Sequence, residues 1–117
     1  MNKRPIAITI IAVLLILAGA AGLVGDFMHL KSLSANHYET VWIAGVHVLA
    51  LVAGAFMLRG RNWARWLAVF WMAFHVIISI GHPLEQLIVH VLFLLLFVYS
   101  LFRADARTYF AHREAEA

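Results

Sequence analysis

Four apolar stretches, at 5–25, 41–58, 63–80 and 84–102, occupy most of this chain and constrain its fold more than any other feature. A helix that crosses a bilayer needs about 20 mostly apolar residues. In hydrocarbon each backbone polar group must be satisfied within the spanning structure, so the choice is helix or closed barrel. The period-two alternation of a barrel strand is absent. The expected fold is therefore all-α: one domain over residues 1–117, an antiparallel four-helix transmembrane bundle. Composition agrees. The chain is 64% hydrophobic and 13% charged, where soluble domains carry about 25% charged residues. With 117 residues, little is left over for a separate soluble domain.

Boundary residues fall where such helices need them. Pro5 suits a first helical turn, where its missing N–H leaves nothing unsatisfied. Gly60 can end the second helix and Asn62 can cap the third. Gly81 can end the third and Pro83 can open the fourth. The connections at 59–62 and 81–83 allow only tight hairpins. The longest connection, 26–40, is polar. In it Asn36 and Glu39 have capping-box spacing, so the second helix is expected to begin before the membrane does. Residues 1–21 resemble a secretory leader, with a basic start, an apolar run and Ala18-Gly19-Ala20. The run exceeds a typical leader core, so a retained first helix is expected. Residues 111–117 read as a frayed helical tail.

Orientation follows from the basic residues. Lys3, Arg4, Arg59, Arg61, Arg65, Arg103, Arg107 and Arg113 fall on one side, and Lys31 alone on the other. Lys and Arg stay on the cytoplasmic side, which places both termini there. The same placement explains the net charge of +3 as a topology signal and argues against a nucleic-acid partner. The absence of cysteine excludes disulfides, thiolate metal sites and covalent c-type haem. No phosphate-binding loop is present. Asp26, Glu39 and Glu85 all fall at the rims, so there is no paired-carboxylate centre. Ser79 near His75 reads as a hydrogen bond between neighbours, and no catalytic residue is assigned.

The candidate site lies in three histidines. His47, His75 and His90 each sit about six residues inside a different apolar segment, roughly 9 Å below the outer helix ends at 1.5 Å per residue. Ionisable groups at such depth mark functional sites by default. On the third helix Trp71, His75 and Ser79 form one stripe, with His82 beyond it. On the fourth, Gln86 lies one turn before His90 and could hold its imidazole. On the second, Thr40 precedes His47 by seven. On the first, Gly19, Gly22, Asp26 and His29 form another stripe. Three imidazoles with an open position suit zinc, iron or copper, with Asp26 and His29 in support. Two facing imidazoles suit a b-type haem. Without a metal, the same rings could relay protons, handle ions or meet a quinone head group. The competing reading is structural: each histidine fastens helices together in an accessory or oligomerising membrane protein.

Two further features need weighing. In the string RGRNWARWL, at 59–67, Arg59, Arg61 and Arg65 could clamp an anionic lipid head group beside Trp63 and Trp66. Topology and interfacial anchoring alone also produce such strings. Small residues four apart (Ala18/Gly22, Ala21/Gly25, Ala50/Gly54) allow close helix approach, within the chain or in a homo-oligomer. The order of four short helices and the RGRNWARWL string resemble small bacterial integral membrane proteins of uncharacterised function. That resemblance implies a bacterial cytoplasmic membrane, with the lipid bilayer as surroundings, and it carries over no site residue.

Overall fold

The computed structural model describes residues 4–29 and 37–116, without the side chains of 29, 37–40 and 116. The expected capping pair Asn36 and Glu39, the side chains of His29, His37 and Thr40, and Lys3 and Lys31 lie outside the described residues. Five helices follow in order: α1 (Ile6–His29), α2 (His37–Leu58), α3 (Asn62–Ile78), α4 (Leu84–Phe102) and α5 (Ala104–Glu116). A short 3-10 turn, Ser79–Gly81, ends the α3 segment. No strand occurs among the described residues. Four helical segments are long and apolar enough to cross a membrane: Ile6–Met28, Val41–Leu58, Asn62–Gly81 and Leu84–Phe102.

The core sits toward one end. Its buried side chains come from the first half of α1 (Ile8, Ala12, Leu15), the second half of α2 (Ala50, Ala53, Met57), the first two thirds of α3 (Ala64, Ala68, Met72) and the end of α4 (Phe97, Leu101). Small residues set the tightest seam, between α1 and α2. A Cβ at Gly54 would lie 2.6 Å from the Ala12 carbonyl oxygen, and one at Gly19 would lie 2.6 Å from that of His47. Backbones meet there because no side chain stands between them. Of the small-residue pairs read from the sequence, Ala50/Gly54 is in this seam. Ala18 and Ala21 are exposed, and a Cβ at Gly25 would meet open space.

The tail differs from expectation. The chain breaks at Arg103, whose backbone is extended, and resumes as α5. The segment expected to fray continues as helix to Glu116, and α5 is held against the α2–α3 connection. Ala106, Tyr109 and Phe110 are buried, and the Tyr109 hydroxyl donates to the Leu58 carbonyl at 3.1 Å. The cap of α3 also differs. Asn62 is its first residue, and the N-cap position, Arg61, makes no side-chain cap. The Asn62 N–H donates instead to Glu114 Oε1 of α5 at 2.8 Å. A carboxylate there satisfies an orphan donor and meets the positive end of the helix dipole. Gly60 behaves as read: it ends α2 with φ 78°, a conformation that favours glycine.

Candidate functional site

At the end away from the core, polar side chains cross between helices. Asp26 lies in the last turn of α1, opposite His47 of α2. Its Oδ2 is 2.8 Å from His47 Nδ1. Both groups are largely buried, with side-chain exposures of 20% and 25%. Gly22 makes this possible. Any Cβ at Gly22 would collide with the imidazole ring, so the ring lies flat on bare backbone one turn below Asp26. This contact also explains why α1 continues past the expected end at 25.

The next link joins α2 to α3. Trp71 Nε1 donates to the Val46 carbonyl at 2.8 Å, beside His47 in sequence. The Trp71 ring lies 4.0 Å from the His75 ring, centroid to centroid. His75 Nδ1 is 2.8 Å from the Trp71 carbonyl oxygen. Ser79, fully buried, donates its hydroxyl proton to the His75 carbonyl at 2.7 Å. Its oxygen is 2.5 Å from His90 Nδ1 on α4. One belt thus runs from Asp26 to His90 and touches all four of the long apolar helices. Ser79 holds His90 in the place the sequence assigned to Gln86.

The belt fixes the tautomers. A carbonyl oxygen only accepts, so His75 Nδ1 carries a proton. Ser79 has one proton and directs it to the His75 carbonyl, so His90 Nδ1 must donate to Ser79. In each neutral ring the lone pair then resides on Nε2.

These two rings line a cavity of about 240 Å³ between α1, α3 and α4. Leu14, Ala18, Trp71, Phe93 and Phe97 form its apolar walls. A narrower space of about 160 Å³ continues along the α1–α4 seam past Ile10, Leu96 and Ser100. Leu14, Phe93 and Phe97 border both. Together they form a cleft with two imidazoles at one end and an apolar groove below. Of its aromatic walls, Trp71 belonged to the stripe read from the sequence, while Phe93 and Phe97 lay in a run apolar all round, where nothing in the spacing showed that α1 and α4 part here.

The three histidines therefore divide into two places. His75 and His90 share the cleft, their rings 5.9 Å apart. His47 lies on the α1–α2 seam with Asp26. Among the described residues no group of three or more His, Cys, Asp or Glu side chains is arranged to hold a metal ion. The expected convergence of His47, His75, His90 and Asp26 on one zinc, iron or copper ion is not found: His47 pairs with Asp26 on the α1–α2 seam, while His75 and His90 face each other between α3 and α4. Nor does the cleft fit a b-type haem. Its wider part, about 240 Å³, is below the roughly 300 Å³ at which pockets for drug-sized ligands begin, and Ser79 ties the His75 backbone carbonyl to His90 Nδ1 across the two helices. His82 lies outside the belt, exposed, with Nδ1 on the Ile78 carbonyl.

The arginine string lies at the other end. Arg65 Nη1 donates to the Leu101 carbonyl at 3.1 Å, and its guanidinium stacks over Phe102 at 4.6 Å. Arg59 lies over Phe56. Trp63 packs on Phe56, and Trp66 on Phe102. Arg65 thus ties α3 to α4 and is not open to a head group, while Arg59, Trp63 and Trp66 are exposed. No protein-family model, curated protein or solved structure compared with the chain matches it.

Proposed function

We propose that this protein is a small polytopic membrane protein that binds a lipophilic molecule in the cleft between α1, α3 and α4. Its four spanning helices run antiparallel as a single domain, with both termini in the cytoplasm of a bacterial cell. The short α2–α3 and α3–α4 connections and the arginine distribution support that orientation. One observation carries the binding reading: an apolar cleft holds two convergent polar rings at one end and continues as a groove along a loosely packed seam. Few well-placed polar groups in an apolar concavity are the usual form of a small-molecule site. The groove suits a hydrocarbon tail entering sideways from the bilayer. The belt's structural work and the site's binding work coexist, since one uses Nδ1 and the other Nε2.

The test is chemical. Wild-type protein and the variant Ala18→Trp, which fills the cleft from α1, are purified in mild detergent and extracted with organic solvent. A small lipophilic compound enriched in the wild-type extract is expected. Identical extracts would overturn the reading. A Soret band, or near-stoichiometric metal lost in His75→Ala, would replace it with a cofactor site.

A further inference from the structure

The belt does more than hold the two rings: it decides which kind of head group they can accept. We infer that the cleft takes molecules whose head donates a hydrogen bond, namely a phenol or hydroquinone carrying an apolar tail, in preference to the matching ether or quinone. This rests on the reading of the cleft as a binding site.

The argument is one of donor and acceptor inventory. His75 and His90 are the titratable side chains lining the cleft. Each has its Nδ1 proton committed, to the Trp71 carbonyl and to Ser79. The Trp71 indole proton is committed to the Val46 carbonyl, and the Ser79 proton to the His75 carbonyl. Each proton donor of this group is therefore occupied, and the groups left over are two Nε2 lone pairs. A carbonyl or ether oxygen would meet an acceptor and lose its hydration without replacement, an expensive outcome in an apolar site. A hydroxyl would donate to Nε2. Trp71, Phe93 and Phe97 add aromatic faces that favour a flat ring over a branched alcohol. A ring also matches the cavity of about 240 Å³ above the narrower groove.

The experiment uses full-length protein labelled with ¹⁵N-histidine in lipid nanodiscs, with 4-nonylphenol and its methyl ether, 4-nonylanisole, as probes. The two share ring and tail, and the ether carries a methyl group in place of the donated proton. Ring-nitrogen chemical shifts and saturable binding are both recorded, for wild type and Ala18→Trp. The expected result is protonated Nδ1 and unprotonated Nε2 on His75 and His90 before addition. Nonylphenol then shifts an Nε2 signal of this pair, and it binds about tenfold more tightly than the ether, the scale of one net hydrogen bond. Equal binding of both probes that is lost in Ala18→Trp would overturn the donor preference while leaving the cleft reading in place. Binding of neither probe, or binding unchanged by Ala18→Trp, would remove the cleft reading and this inference with it. Protons found on Nε2 of both rings in the free protein would overturn the inference directly.

Discussion

At the residue scale, two hydrogen atoms matter most. Gly22 carries one in place of a side chain, and the His47 ring occupies the space. Gly22→Ala should push the ring off Asp26 and lower stability by about 1–3 kcal/mol, as overpacking does. Thermal unfolding in detergent would check this, with Gly25→Ala as the control. A Cβ at Gly25 meets open space, so its melting temperature should hold or rise slightly. An equal loss in both would contradict the seam geometry. The second hydrogen is the Ser79 hydroxyl proton. Ser79→Ala removes the link to His90 and should cost about 0.6 kcal/mol, with about 1.7 as an upper limit. It should also free His90 to exchange tautomers, visible in its ¹⁵N shifts. The Trp71, His75, Ser79 stripe was legible from helical spacing, which left open whether Asp26 would reach into the bundle or face water. The choice of Ser79 over Gln86 as partner of His90 was not. It depends on how α3 and α4 rotate about their turn, which spacing within one helix does not encode.

At the scale of elements, α5 is the part that sequence reasoning undervalued. Residues 111–117 read as a frayed end and 104–110 were not read as a docked helix, yet Ala106, Tyr109 and Phe110 are buried at the end of the bundle. The signal was the pair Tyr109-Phe110 inside a charged segment. The docking site, made from the α2–α3 connection, appears only after folding. Gly60 lies directly under Arg113, and Glu114 caps α3. Phe110→Ala should therefore destabilise the whole bundle, by about 3–5 kcal/mol. Hydrogen exchange should show the ends of α2 and α3 opening with α5. Exchange confined to α5 would mean that the helix rests on the bundle without supporting it.

At the scale of the whole molecule, a packed core toward one end and a polar belt toward the other divide the work, with the open α1–α4 seam running from the belt down beside the core. The number and extent of spanning helices were readable because the bilayer sets their length. The cleft was not readable, because it results from what α1 and α4 fail to contact. Orientation can be tested simply, since the chain has no cysteine of its own. Ser34→Cys should react with a membrane-impermeant maleimide on intact cells, and Ala115→Cys only after permeabilisation. The reverse pattern would invert the topology. The central claim, a ligand site in the cleft, is tested most directly by photo-crosslinking in living cells. A benzophenone amino acid replaces Phe93, which borders the cavity and the groove, or Leu95, which is exposed. Mass spectrometry of the crosslinked protein should find one predominant small-molecule adduct at position 93 and a mixture of bulk phospholipids at position 95. The same phospholipid mixture at both positions would contradict the account.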